Sequence, residues 1–105
     1  MAEVKHLVVA KFKEGVVVEE ILQGMTQLVS TMDMVKSFEW GTEMIGEEML
    51  RQGFTHVFIM TFNNGEDLAS YFNHPSHNDF IGTFQAALEN ALVFDFPAVV
   101  IKAPA

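Results

Sequence analysis

Residues 54–62, FTHVFIMTF, predict a β-strand with apolar side chains on both faces, and few folds accommodate such a strand. The segment is rich in β-branched and aromatic residues and contains neither glycine nor proline. Alternation gives one face Phe54, His56, Phe58, Met60 and Phe62, and the other face Thr55, Val57, Ile59 and Thr61. Both faces of the sheet that holds this strand should therefore be covered.

A second strand of the same kind is predicted over Glu3–Lys13. One face carries Val4, His6, Val8, Ala10 and Phe12. The other face carries Leu7 and Val9 between lysines.

Helices are predicted between the strands. Apolar residues at three- and four-residue spacing indicate an amphipathic helix over Val18–Met32. A short helix is expected over Glu66–Asn73, and Pro75 suits the first turn of another that runs to about Asn90. Residues 46–53 are expected to form a connection with one helical turn.

Two further strands are predicted over Lys36–Met44 and Leu92–Ile101, and Pro97 indicates an edge position or a bulge in the last. The order is strand, helix, strand, strand, helix pair, strand. It predicts an α+β fold of the ferredoxin-like kind, an antiparallel four-stranded sheet with helices on one face. A chain of 105 residues is the usual size of one domain, expected here over residues 1–105.

The sheet face opposite the helices is predicted to carry Leu7, Val9, Val57 and Ile59. An apolar patch of this kind is unusual on a monomer, so we expect a second copy of the chain to cover it in a homodimer. The alternative is that the segment 99–105 folds over it.

Composition excludes several classes of function. Fourteen acidic residues against six basic ones give a net charge of −8, which disfavours binding to nucleic acid. The chain has no cysteine, so disulfides, thiolate catalysis and zinc-thiolate sites are excluded. No apolar run approaches the ~20 residues of a membrane span, and the start does not resemble a signal peptide, so a cytoplasmic location is expected.

Histidines are the candidate functional residues. His6 and His56 should point toward the helix-covered interior, and His77 should meet them there together with Tyr71. A single histidine among apolar neighbours is usually a hydrogen-bonded core residue, but three that converge with a tyrosine suit proton abstraction beside a carbonyl.

An apolar pocket is expected around these side chains. Its predicted substrate-binding residues are His6, His56, Val8, Ala10, Phe58, Met25 and Leu88. A metal site at His74 and His77 is the rival interpretation. Pro75 separates the two histidines and no carboxylate stands at the matching spacing, so we expect neither a metal nor an organic cofactor. Asp95 is either a buried hydrogen-bonding group or a cap.

Five segments in the same order resemble the stress-responsive A/B barrel family. They are VKHLVVAKFK at 4–13, FEWG at 38–41, QGFTHVFIMTF at 52–62, YFNHPSH at 71–77 and LVFDF at 92–96. The family is known mainly from plants as small dimeric α+β barrel proteins, so the resemblance implies the same fold and a homodimer.

The resemblance also implies two functions. One family member is a polyketide cyclase, and Tyr71 and His77 match its catalytic pair, while His6 and His56 match its pocket histidines. This implies an intramolecular aldol condensation of a linear poly-β-keto substrate, with His77 as general base and Tyr71 stabilising the carbonyl oxygen. Other members are heat-stable or antifungal stress proteins, which implies the alternative of a non-catalytic dimer or a binder of small apolar ligands.

Overall fold

The computed structural model describes residues 2–104, so Met1 and Ala105, the ends of the predicted domain, lie outside the described residues. The strands are β1 Val4–Phe12, β2 Ser37–Thr42, β3 His56–Phe62 and β4 Leu88–Pro97. The helices are α1 Val18–Ser30, α2 Glu48–Arg51, α3 Gly65–Asn73 and α4 Pro75–Ala87. The strands form one antiparallel sheet in the order β2-β3-β1-β4. This topology confirms the predicted ferredoxin-like α+β fold.

Alternate residues of the two central strands form the sheet side of the core. The buried side chains, at the predicted two-residue spacing, are His6, Val8 and Ala10 on β1 and Phe58, Met60 and Phe62 on β3. α1 covers them with a buried stripe of Ile21, Met25 and Leu28 at helical spacing. The short α2 lies in the connection between β2 and β3 and buries none of its residues.

The corner between α3 and α4 is built by capping. α3 begins after Asn64, whose side chain accepts a hydrogen bond from the Asp67 N–H at 2.8 Å. His74 is extended between the two helices, and Pro75 opens α4 as predicted. The His74 Nδ1 accepts a hydrogen bond from the Ser76 N–H at 3.1 Å. The corner therefore brings the end of α3 against the first turn of α4.

The predicted junction of the last helix and strand is wrong by several residues. The helix was expected to continue to Asn90, but β4 begins directly after α4, at Leu88. Pairing with β1 explains the shift. Phe12 pairs with Leu88 and Lys11 pairs with Asn90, so Glu89 is an extra residue at a β-bulge.

The end of β4 also differs from the prediction, which placed it at Ile101. β1 begins at Val4, and Val4 pairs with Pro97, so the ladder ends there. β4 is an edge strand, as Pro97 indicated. The β-branched residues that follow are exposed, with Val99 at 81% and Ile101 at 92%.

The outer face of the sheet is apolar and extends onto β4. Opposite Leu7 and Val9 on this face stand Phe94 and Leu92 of β4, which remain 52% and 47% exposed. The alternative was that residues 99–105 fold over this face. In the described part of that segment Val99, Val100 and Ile101 are exposed, and Leu92 and Phe94 of the face remain about half exposed, so this alternative is not borne out. Within residues 2–104, no helix is both long and apolar enough to cross a bilayer.

Candidate functional site

A cavity of about 260 Å³ lies between the helices and the inner face of the sheet. This volume is slightly below the range of about 300 to 1,000 Å³ that is typical of small-molecule pockets. Its wall is mostly apolar, and its polar side chains are His6, Tyr71, His77 and Gln85. Gln85 on α4 and Val93 on β4 are exposed wall residues, so the cavity opens to solvent between these elements.

Tyr71 and His77 form the closest pair of functional rings in the cavity, with ring centroids 4.6 Å apart in an edge-to-face arrangement. Tyr71 lies near the end of α3 and is almost fully buried. His77 lies in the first turn of α4. The helical corner at His74 therefore brings the two rings together, as the sequence predicted.

His6 is the third member of the cluster, and its ring centroid lies 6.0 Å from that of Tyr71. β1 and β4 pair His6 with Asp95, and His6 Nδ1 lies 2.6 Å from Asp95 Oδ1. A carboxylate at this distance favours the tautomer that carries the proton on Nδ1, which leaves Nε2 as an acceptor. Asp95 is thus a hydrogen-bonding group, as one of the two alternatives from the sequence expected, but it is exposed rather than buried.

Burial sets the protonation of the Tyr71 and His77 pair. It raises the pKa of Tyr71 to about 12, so this side chain is a phenol at neutral pH. Burial is also the main cause that lowers the pKa of His77 below 6.5. Interactions with the Asn78 side chain and the Phe72 backbone oppose this decrease, and the neighbouring His6 adds to it. Within residues 2–104, the buried His77 Nδ1 has no hydrogen-bond partner. The cavity therefore combines a neutral imidazole base with a phenol donor.

The structure places five predicted substrate-binding residues in the cavity wall: His6, Val8, Met25, Phe58 and Leu88. Leu88 reaches the wall as the first residue of β4 rather than from the helix on which it was predicted. Ala10 is fully buried in the core beyond the cavity.

His56 does not join the cluster. It shares a face with His6, but its partner on β1 is Ala10, four residues or about 13 Å along the strand from His6. Its ring stacks on Trp40, with ring centroids 6.1 Å apart, and packs edge-to-face with Phe12, with ring centroids 5.2 Å apart. The correction follows from register, because alternation predicts the face of a residue but not its position along the sheet.

His74 is a helix-capping residue, since its Nδ1 is occupied by the Ser76 N–H. Among residues 2–104, no three His, Asp or Glu side chains are grouped to hold a metal ion. Sequence reasoning missed other wall residues, including Phe72, Ile81 and Gln85, together with Ala91 and Val93 of β4. The correct register of β4 would have indicated the last two.

The model of the stress-responsive A/B barrel domain matches residues 4–98 of the chain. A stress-response A/B barrel domain-containing protein of Arabidopsis thaliana is 49% identical over 98 residues, 93% of this chain and 88% of that protein. Olivetolic acid cyclase of Cannabis sativa is 31% identical over 96 residues, 89% of this chain and 94% of the cyclase.

Solved structures share the fold. The crystal structure of another Arabidopsis thaliana protein has a TM-score of 0.86 and 37% sequence identity, and covers 95% of this chain and 99% of that one. A dimeric ferredoxin-like protein of unknown function from Thermobifida fusca has a TM-score of 0.77 at 14% identity, with 92% of both chains covered. The second likeness shows the fold alone.

Proposed function

Because the chain belongs to the stress-responsive A/B barrel family, we propose that it is a polyketide cyclase-like enzyme that closes a linear poly-β-keto acid or its thioester by intramolecular aldol condensation. This proposal depends on one observation: the rings of Tyr71 and His77, with centroids 4.6 Å apart, lie together in the wall of an open apolar cavity. The 31% identity to olivetolic acid cyclase supports the same reaction class.

The proposed reaction needs only protein groups, without a metal or organic cofactor. His77 removes a proton from a carbon between two carbonyls, and Tyr71 donates a hydrogen bond to the carbonyl oxygen on which negative charge develops. The carbanion attacks a second carbonyl carbon of the same chain. A C–C bond forms, the C=O π electron pair moves to oxygen, and the His77 imidazolium returns the proton to that oxygen, which gives a cyclic aldol adduct isomeric with the substrate. Loss of the new hydroxyl together with a neighbouring ring proton, as water, then completes the condensation.

His6 has a binding role in this proposal. Asp95 holds its Nδ1 at 2.6 Å, so Nε2 can accept a hydrogen bond from an enol hydroxyl of the substrate. Asp95 acts through His6 and is a positioning residue. Val8, Met25, Phe58 and Leu88 supply the apolar wall, whereas His56 and Ala10, outside the cavity, would affect binding only indirectly.

The test is a coupled cyclisation assay. The protein is incubated with a polyketide synthase that releases linear tetraketides, and the cyclised acid is compared among the parent, His77→Ala and Tyr71→Phe proteins. Positioned acid and base groups contribute about 10²- to 10⁴-fold in rate, so each variant should lose at least about a hundredfold. His74→Asn, which removes an imidazole outside the cavity, should retain parental activity. Equal product with all four proteins, or none with the parent, refutes the catalytic role for this substrate class.

A second candidate function is a non-catalytic stress-response dimer that binds a small apolar ligand. It is favoured by the 49% identical relative, which is named for a stress response and not for a reaction. Binding of apolar ketones without any cyclisation would support it. A cytoplasmic location is proposed under either function, from the absence of cysteine.

A homodimer is also proposed, with Leu7, Val9, Val57 and Ile59 at its interface. The half-exposed Leu92 and Phe94 extend this face across β4. A contiguous apolar surface of this kind usually marks an interface. The dimeric ferredoxin-like protein from Thermobifida fusca, which has the same fold, supports a homodimer.

A further inference from the structure

Gly24, in the middle of α1, is in contact with a side chain of α4. A Cβ atom at this position would lie 2.9 Å from Phe80 Cε1 and 3.5 Å from Phe80 Cδ1. The first separation is shorter than real carbon contacts allow. Only glycine lets the Phe80 ring occupy its present place.

Phe80 is a wall of the cavity and packs against both halves of the hydrophobic core. Its ring stacks on Phe84, with centroids 5.8 Å apart. One side of the Phe80 ring borders empty space, and this space is the cavity. A side chain at position 24 would push the ring away from α1 and reduce that space.

We propose that Gly24 is a specificity-determining residue, which sets how bulky a ligand the apolar part of the cavity accepts by allowing Phe80 to lie against the backbone of α1. The inference rests on the proposed function for its substrate class, a linear keto chain. The inference adds a residue that sets the limit on ligand chain length. Gly24 is not in the cavity wall and acts through the position of Phe80.

The chain offers a matched control in Gly82. This glycine is also helical, on α4 two residues after Phe80, and a Cβ there would meet nothing within 4 Å. Both glycine-to-alanine changes raise helix propensity by a similar amount. Only the change at position 24 should alter the cavity.

The experiment measures binding and not turnover. Dissociation constants of straight-chain methyl ketones, from the pentyl to the undecyl compound, are determined calorimetrically for the parent, Gly24→Ala and Gly82→Ala proteins. Placing an extra methyl group in a packed interior typically costs enough free energy to raise a dissociation constant about tenfold. Gly24→Ala should therefore bind the longest ketone accepted by the parent at least about tenfold more weakly and stop at a shorter chain, while Gly82→Ala should match the parent.

Phe80→Leu completes the test. The double variant Gly24→Ala, Phe80→Leu should have the parental chain-length limit. Phe80→Leu alone should accept longer ketones than the parent. This second comparison can be made even if Gly24→Ala fails to fold. Identical profiles for Gly24→Ala and the parent, an equal loss in Gly82→Ala, an unchanged limit in Phe80→Leu, or no ketone binding by the parent would overturn the inference. Failure of the cyclisation assay with an intact chain-length effect would refute the proposed reaction only.

Discussion

At the scale of single residues, the cavity keeps two groups in the states that enolate chemistry requires. Burial holds Tyr71 protonated, with a pKa of about 12, and lowers the pKa of His77. A donor for the oxygen and an acceptor for the carbon-bound proton are thus both present at neutral pH. The sequence predicted that Tyr71 and His77 meet, because alternation along strands and periodicity along helices indicate which side chains point into the interior. The position of His56 could not be predicted, since register decides distance along a strand.

The same burial makes stability depend on pH. The pKa values of His56 and His77 are lowered from 6.5 by burial, so below about pH 6.5 the unfolded chain binds protons that the folded chain does not. The free energy of unfolding should therefore decrease as the pH falls from 7.5 to 5.5.

Urea unfolding of the parent and of the His56→Gln, His77→Gln double variant, at equal protein concentration, measures this effect. The variant lacks both groups, so its stability should change less over the interval. A decrease of equal size in the two proteins would contradict the assignment to these histidines.

At the scale of elements, the corner between α3 and α4 brings together Tyr71 and His77, the proposed catalytic pair. The residue that builds it, His74, was considered as a metal ligand because of its spacing to His77, but its Nδ1 caps α4. The three other strands were predicted within two residues at each end, because their apolar alternation is local. β4 was not, since its bounds follow from the start of β1 and from the bulge at Glu89.

Removing the cap should destabilise the corner. His74→Ala leaves the Ser76 N–H without its acceptor, so the free energy of unfolding should fall by about 1 kcal/mol. His74→Asn, which provides another capping acceptor, should restore most of it. Equal losses in the two variants, measured by chemical denaturation, would show that the imidazole contributes by another contact.

At the scale of the whole molecule, the sheet has two apolar faces, and only one is covered by the chain's own helices. The other, from Val57 on β3 to Phe94 on β4, is the surface proposed to bind a second copy. The sequence indicated this face because alternation alone defines it. The sequence also predicted an apolar pocket, but the volume of the cavity and the contact between Gly24 and Phe80 were beyond sequence reasoning, because they depend on how side-chain volumes fill the interior.

Val57→Glu should dissociate the dimer, since two carboxylates would be placed in a dry apolar contact. Sedimentation velocity should show a monomer with native circular dichroism. Val17→Glu, the same change at an exposed position before α1, should leave the dimer intact. A dimeric Val57→Glu protein would place the interface elsewhere.

β4 has a different task on each side: Ala91 and Val93 line the cavity, and Leu92 and Phe94 belong to the outer face. Residues on one side of the strand can be substituted without altering the surface on its other side. The gain or loss of a single residue after the bulge would exchange the two sets at once. Across relatives, we therefore expect this strand to vary freely in side chains but hardly at all in length.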